Sequence, residues 1–246
     1  MRNLLLTLRF DGAPYHGWQV QKNGISVQET VQDAIEKVTG VRSGVIGCSR
    51  TDAGVHAEMY CCNFRTDSGV DTERMIYALN ANLPDSIGVY GCREVPEDFH
   101  ARYSCVSKKY VYKIWNSPFK NPFLTDRYYM YGHPLDEKML DEESKYFLGK
   151  HDYRGFASSG CSVKDTVRTV FDASVERRGD EVFFTVEADG FLYNMVRIMT
   201  GTLFYIQQGK IERGALPEII ESGERERAGV TAPACGLYLR NVNYGG

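Results

Sequence analysis

The sequence predicts a mixed, largely antiparallel α+β fold made of two loosely repeated halves. Apolar runs of strand length alternate with amphipathic helical segments, and the 246-residue chain is longer than one typical domain. Hydrophobic residues make up 43% and charged residues 25% of the chain, which excludes disordered, collagen-like and coiled-coil proteins. We divide the halves at residues 1–104 and 105–246. Because no Gly/Ser-rich or proline-rich linker separates them, we expect the halves to share one sheet.

The first half is predicted to run strand, helix, strand, strand, helix, strand. An apolar strand ends at the Asp11-Gly12 turn, and a capping box that starts at Ser26 begins a helix that Gly40 ends. Asp71 caps a second helix, which ends before a proline. The predicted segments are residues 4–10, 26–40, 45–48, 60–64, 71–83 and 87–95.

The second half repeats this alternation less regularly. Strands are predicted at 109–115, 167–176, 181–188 and 237–242, and helices at 136–148, from about 193 to 206, and at 216–222. The Arg178-Gly179-Asp180 turn joins two of these strands as a hairpin. The helix from 193 is apolar on nearly every face, which predicts that it is buried.

The charge, cysteine and histidine content exclude several classes of protein. The net charge is −3, from 29 basic and 32 acidic residues, and gives no sign of a polyanionic partner. Histidines lack the short spacings of zinc sites, so we expect no structural metal. With neither a signal peptide nor a membrane span, we expect a cytoplasmic protein. We expect reduced thiols, because no CxxC pair occurs among Cys48, Cys61, Cys62, Cys92, Cys105, Cys161 and Cys235.

A polar insertion rich in small residues, 47–57, lies between two predicted strands. Small residues allow another molecule to approach the backbone closely. Within the insertion, Asp52 has no acidic neighbour before Glu58, so the paired carboxylates of an ordinary glycosidase are missing. A single carboxylate suggests a nucleophile. The alternative is that Asp52 caps a turn or pairs with Arg50.

Arg197 is a charged residue inside the predicted buried helix. An unpaired guanidinium there would cost several kcal/mol, so we expect a carboxylate or an anionic ligand close to it. Asp189 is the local candidate and Asp52 the distant one, and both stay open. An Asp52–Arg197 pair would hold the carboxylate ionised and oriented, as a nucleophile requires.

The third feature is a basic segment whose charge the whole-chain average conceals. Between residues 100 and 127 one acidic residue stands against six basic ones: Arg102, Lys108, Lys109, Lys113, Lys120 and Arg127. Tyr110 and Tyr112 share one face of a predicted strand and alternate with Lys109 and Lys113. Aromatic platforms interleaved with cations suit RNA. The alternative is a solvated strand face with two core tyrosines.

With these segments, the chain resembles the TruA family of tRNA pseudouridine synthases from end to end. Six ordered blocks carry the resemblance: Gly17-Trp18-Gln19-Val20-Gln21 with Ser26-Val27-Gln28; Ser49 through Ala57; Leu79-Asn80-Ala81-Asn82-Leu83-Pro84; Phe99-His100-Ala101-Arg102 with Lys109-Tyr110-Val111-Tyr112; Phe191 through Arg197; and Ala232-Pro233 with Gly236-Leu237-Tyr238-Leu239. The resemblance implies the pseudouridine synthase fold, in which two RRM-like halves share a mixed, largely antiparallel sheet.

The resemblance also implies roles for individual residues. It makes Asp52 the catalytic aspartate, Tyr110 the ring that stacks on the target uracil, and Arg197 the buried partner of Asp52. Arg50 would hold the target nucleotide extruded from its helix. The remaining substrate-binding residues implied by the resemblance are Thr51, His56, Lys108, Lys109 and Leu237.

The implied reaction converts uridine to pseudouridine at positions 38–40 of the tRNA anticodon stem-loop, without a cofactor or metal. A homodimer would cradle one tRNA, read through its shape and phosphates. A duplicated relative acting on another RNA site would keep the same blocks. The alternatives from other classes are a non-catalytic RNA-binding protein of two RRM-like halves, and an aspartate-dependent phosphatase or glycosidase.

Overall fold

A computed structural model of the chain describes residues 1–160 and 163–245. The chain divides into two compact units, Met1–Val106 with Leu239–Gly246, and Ser107–Tyr238. The sequence predicts a single division, between residues 104 and 105, with the C-terminal residues in the second half. The compact units instead place Leu239–Gly246 with the first.

The first unit contains four strands and two helices in the predicted order. They are β1 (Arg2–Phe10), α1 (Val27–Thr39), β2 (Val45–Gly47), β3 (His56–Thr66), α2 (Thr72–Asn80) and β4 (Ile87–Val95). The strands lie in the order β4-β1-β3, with β2 also on β3, and all of these pairs are antiparallel.

Helix α1 begins and ends where the sequence predicts. The Ser26 hydroxyl accepts a hydrogen bond from the Glu29 backbone N–H at 3.2 Å, which satisfies one of the unpaired donors of the first turn. Gly40 has a φ of 76° and donates its N–H to the Glu36 carbonyl, closing the helix in the left-handed conformation that glycine favours. Val31 and Ile35 are buried on one face of the helix.

The second unit contains β5 (Ser107–Asn116), β6 (Tyr129–Tyr131), α3 (Glu137–Ser144), β7 (Gly149–Asp152), β8 (Val167–Arg178), β9 (Glu181–Ala188), α4 (Met195–Gln207) and α5 (Leu216–Ser222). Its strands lie in the order β5-β9-β8-β7 and pair antiparallel, whereas β6 pairs parallel with β5. The last strand, β10 (Leu237–Asn243), spans the division between the units. The predicted mixed, largely antiparallel α+β class is confirmed.

Helix α4 is buried, as its all-round apolar sequence predicts. A Cβ at Gly201 would lie 1.7 Å from the Val230 carbonyl oxygen, so the segment after α5 packs directly on the helix backbone. The Thr202 hydroxyl accepts the Gly229 N–H at 2.9 Å and fixes that contact. Across residues 1–160 and 163–245, no helix is both long and apolar enough to span a bilayer.

Candidate active site

The loop that joins β2 to β3, residues 48–55, carries the predicted nucleophile. Asp52 is half-buried, and its backbone carbonyl accepts the Val55 N–H at 3.2 Å, so the turn is closed by backbone atoms. Arg50 is exposed, and Thr51 is buried. Three successive residues of the predicted motif therefore have three different environments.

A segment near the start of the chain, residues 12–18, holds this loop through its backbone. The Trp18 N–H donates to the Thr51 carbonyl at 3.1 Å, and the Gly54 N–H donates to the Tyr15 carbonyl at 3.3 Å. We call residues 12–18 the seat of the loop. Because these bonds join backbone atoms, they fix the path of the loop without using its side chains.

Two glycines allow the seat to come this close. A Cβ at Gly17 would lie 2.5 Å from the Thr51 carbonyl oxygen, and one at Gly12 would lie 2.0 Å from the Val55 carbonyl oxygen. Gly17 also has a φ of 90°, which residues with a side chain rarely adopt. That the small residues of the loop admit another molecule stays a prediction. The close approach of the loop backbone to Gly12 and Gly17 was not predicted from the sequence.

Two aromatic rings lie under the start of the loop. Trp18 and Tyr60 stack with ring centroids 4.1 Å apart, and the Tyr60 hydroxyl donates to the Ser49 carbonyl. A Cβ at Gly47 would lie 2.2 Å from the Tyr60 hydroxyl oxygen, so only glycine fits there without displacement. The aromatic pair thus anchors the first turn of the loop from the core side.

His56 follows the loop and is 2% exposed. Its Nδ1 accepts the Gly12 N–H at 3.1 Å, and Asp11 Oδ1 lies 3.1 Å from the same nitrogen. The structure places His56 among the groups that hold the seat. Its predicted contact with substrate stays a prediction.

Strand β5 carries the predicted stacking residue. Tyr110 is 6% exposed and packs edge-to-face against Phe191, with ring centroids 5.1 Å apart. Tyr112, two residues along, is fully buried and its hydroxyl donates to the Pro233 carbonyl at 2.8 Å. Burial raises the pKa of the Tyr112 hydroxyl well above its usual value. Tyr112 is therefore a core residue, as the alternative interpretation of the strand, a solvated face with core tyrosines, predicts.

The lysines of β5 also have partners within their own unit. Lys109 Nζ lies 3.0 Å from Glu187 and 3.7 Å from Asp172, and its hydrogen bond to Glu187 raises the pKa of Lys109. Lys113 Nζ lies 3.7 Å from the ring centroid of Tyr238, and burial lowers the pKa of Lys113. These contacts fit the structural interpretation of the strand better than a row of cations open to phosphate. Lys108 and Leu237 are buried as well.

Arg197 lies in the first turn of α4 and is half-buried. Its Nε donates to the Ala232 carbonyl at 2.7 Å, and Nη1 donates to Asn194 Oδ1 at 2.8 Å. Asn194 has a φ of 62°, a left-handed conformation that asparagine tolerates better than most residues. Asp189, the local candidate partner, is exposed and accepts the Thr169 N–H at 3.0 Å instead. The Asp52–Arg197 pair stays a prediction.

In the described part of the chain, no cluster of three or more His, Cys, Asp or Glu side chains could hold a metal ion. Six cysteines are free thiols, and Cys161 lies outside the described residues. Burial raises the pKa of the Cys61 and Cys92 thiols to about 11, which makes them poor nucleophiles near neutral pH.

Residues 7–104 and 144–245 match the family described as tRNA pseudouridine synthase. A protein of Acetivibrio thermocellus named tRNA pseudouridine synthase A is 50% identical over 99% of this chain and 100% of its own length. One from Thermoanaerobacter sp. with the same name is 44% identical over the same shares. A protein of Clostridium perfringens named tRNA pseudouridine synthase A 2 is also 44% identical, over 99% of this chain and 100% of its own.

Proposed function

The chain belongs to the TruA family of tRNA pseudouridine synthases and is an isomerase, and we propose that it uses Asp52 to convert uridine to pseudouridine in tRNA. The observation that carries the assignment of Asp52 is the construction of its loop. The seat and the Trp18–Tyr60 pair fix the loop backbone on both sides of Asp52. A catalytic group needs this fixed placement, because small displacements of a reacting group are costly in rate.

The reaction is an isomerisation, so no co-reactant is needed. The bond between N1 of uracil and C1′ of ribose breaks, the freed uracil turns, and C5 forms a new bond to C1′. The proton on C5 leaves and N1 gains one. We propose that the Asp52 carboxylate assists the first bond cleavage as the nucleophilic or basic group.

Tyr110 is proposed to stack on the uracil while the base is free. A flat ring restrains a base by its π-face and leaves the in-plane angle open, which a rotating uracil requires. Phe191 supports the Tyr110 ring from its edge at 5.1 Å. We also propose that the Tyr110 hydroxyl oxygen takes the C5 proton at the end of the reaction as the hydroxyl releases its own proton, so that the side chain stays neutral.

Two arginines complete the proposed site. Arg197 is proposed to pair with Asp52 and keep it ionised, and its hydrogen bonds to Ala232 and Asn194 orient the guanidinium. Arg50 is exposed and forms no ion pair with any described residue, which suits a guanidinium that holds an extruded nucleotide.

We make a more specific proposal about which uridines of tRNA are modified and about the oligomeric state of the enzyme. We propose that the targets are uridines 38–40 of the anticodon stem-loop, that the enzyme is a cytoplasmic homodimer, and that it recognises tRNA by shape and phosphates. The test is to incubate the wild-type protein with unmodified tRNA transcripts and map carbodiimide-reactive pseudouridines by primer extension.

Modification confined to positions 38–40 is the expected result. Modification at other uridines would replace the proposed target with that of a duplicated relative. No modification of any transcript would overturn the enzymatic proposal and favour a non-catalytic RNA-binding protein.

A further inference from the structure

Arg168, near the start of β8, is a half-buried arginine without an acidic partner among the described residues. Its Nη1 donates to the Asp165 carbonyl at 3.0 Å and to the Val167 carbonyl at 2.5 Å. Both bonds use the same nitrogen, and Nε and Nη2 donate to no described residue. Through the edge formed by Nε and Nη2, a guanidinium binds two oxygens of a single phosphate or carboxylate. The guanidinium is therefore held by one nitrogen, and its anion-binding edge has no partner in the described chain.

Two carboxylates near Arg168, those of Asp165 and Asp189, bind backbone N–H groups instead. Asp165 Oδ1 accepts the Val167 N–H at 3.0 Å, and Asp189 Oδ1 accepts the Thr169 N–H at 3.0 Å. Neither forms an ion pair with the guanidinium. A half-buried positive charge without a counter-ion favours an anionic ligand, because burial removes part of its hydration.

Gly190 leaves room for the Nε side of this edge. A Cβ at Gly190 would lie 3.2 Å from Arg168 Nε and 3.4 Å from its Cδ, which is closer than ordinary contact at the nitrogen. Gly190 does not have a positive φ, so its backbone conformation does not require glycine. The missing side chain at position 190 therefore provides clearance for the guanidinium.

Arg168 and Tyr110 lie on the same face of the sheet of the second unit. Tyr110 pairs in register with Val186 of β9, and Ala188, two residues further along β9, pairs with Val170 of β8. Side chains two residues apart on a strand point to the same face. The face that carries Tyr110 therefore also carries Val170 and Arg168.

The segment that begins at Gly190 connects these two side chains. Gly190 lies against Arg168, and the next residue, Phe191, packs against the Tyr110 ring with centroids 5.1 Å apart. An anion bound at the Arg168 edge would therefore lie close to the base that is proposed to stack on Tyr110.

We propose that Arg168 binds a backbone phosphate of tRNA next to the nucleotide that stacks on Tyr110. This inference rests on the proposed function and adds a phosphate contact to the site. The anion is a phosphate of the RNA because the family acts on tRNA, and each phosphate presents two non-ester oxygens that match the N–H groups of the Nε–Nη2 edge. Such a contact carries no base specificity and fixes the position of the RNA strand relative to the site.

The test compares Arg168→Met with Arg178→Met in tRNA-binding titrations at several salt concentrations. Arg178 lies at the other end of β8, is exposed, and has Glu176 3.0 Å from its Nη2. Arg168→Met is expected to raise Kd for unmodified tRNA by about 5- to 20-fold and to reduce the slope of log Kd against log salt by about 1. Arg178→Met is expected to change neither. Arg168→Gln, whose amide can still donate to the Asp165 carbonyl, is expected to show the same losses while keeping the fold.

An unchanged salt slope in both Arg168 variants would overturn the inference, because a residue that only supports the fold changes Kd without removing a phosphate contact. A loss of slope in Arg178→Met as large as that in Arg168→Met would also overturn it, since the effect would then follow from net charge alone. Binding titrations need no catalysis, and the wild-type modification assay is run alongside. An inactive wild-type protein would overturn the enzymatic proposal, while the salt slopes would still decide the phosphate contact.

Discussion

The loop before β3 and strand β5 both contain polar residues that are predicted from the sequence to be functional. They differ in their contacts: the loop is held mainly through its backbone, whereas side chains of β5 form contacts within their own unit. The loop is held through backbone bonds and by the clearance at Gly12 and Gly17, and neither Arg50 nor the Thr51 hydroxyl has an ion-pair or hydrogen-bond partner among the described residues. In β5, Lys109 pairs with Glu187 and the Tyr112 hydroxyl with Pro233.

The difference separates two kinds of polar residue. In the loop the backbone supplies contacts that hold the segment, and the Arg50 guanidinium forms no ion pair with a described residue. Where side chains supply them, the residues contribute to folding first. By this criterion the loop is the stronger functional candidate, whereas Lys109 and Tyr112 of β5 have contacts that stabilise the fold. Tyr110, which packs edge-to-face with Phe191, is the residue of β5 to which the family resemblance assigns a role at the site.

The two tyrosines of β5 give the largest expected contrast. Tyr110→Phe should retain bond cleavage but slow product formation by roughly 100-fold or more, since it removes the proposed proton acceptor. Tyr112→Phe should cost about 1 kcal/mol of stability through the lost bond to Pro233 and leave the rate unchanged. Single-turnover assays and denaturation measure both effects. Full activity of Tyr110→Phe would remove the proton-acceptor role.

The seat is tested by Gly17→Ala against Gly40→Ala. Both glycines have positive φ, so each substitution strains the backbone by about 1–2 kcal/mol, but only Gly17 also contacts the loop. Gly17→Ala should therefore lower kcat by roughly tenfold or more as the loop moves, while Gly40→Ala loses stability alone. Equal kcat values in the two variants, measured at matched folded fractions, would show that the seat does not position the loop.

The smallest expected effects concern RNA affinity. Arg50→Met should weaken tRNA binding a few-fold and reduce the salt slope of log Kd by about 1, because an exposed guanidinium is lost. Lys109→Met should leave affinity nearly unchanged, since Glu187 already neutralises this lysine. Binding titrations at several salt concentrations distinguish the two variants. A larger loss of tRNA affinity in Lys109→Met than in Arg50→Met would show that β5 belongs to the RNA-binding surface.

Much of the fold could be predicted because its signals are local. The segments 87–95 and 216–222 coincide with the observed β4 and α5, and the cap at Ser26 and the stop at Gly40 fix α1. Strands β6 and β7 were missed: β6 is only three residues long and lies outside any predicted segment, and β7 reads Gly-Lys-His-Asp, which has no apolar residue to mark a strand. The predicted helix 136–148 ends early, at Ser144, and continues as a single 3₁₀ turn.

The site could be predicted only in part. The Asp52 motif, and a charged Arg197 within an apolar helix, can be recognised in the sequence. The contacts of Gly12 and Gly17 with the loop could not be predicted, because they join segments more than 30 residues apart in the chain. The orphan hydroxyl of Thr51 cannot be read from the sequence either, since a buried threonine normally finds a partner. The whole-chain charge of −3 conceals the basic segment, and the sequence does not show that Glu187 and Asp172 pair with Lys109 within it.

The most direct test of the central claim compares wild-type protein with Asp52→Asn on one unmodified tRNA, measuring pseudouridine formation and tRNA affinity together. The account predicts that Asp52→Asn binds tRNA with a Kd within about twofold of wild type. It also predicts that pseudouridine formation falls by roughly 10⁴-fold or more, because the reacting carboxylate is gone. A rate near wild type in the tRNA-bound variant would contradict the assignment of Asp52 as the catalytic residue.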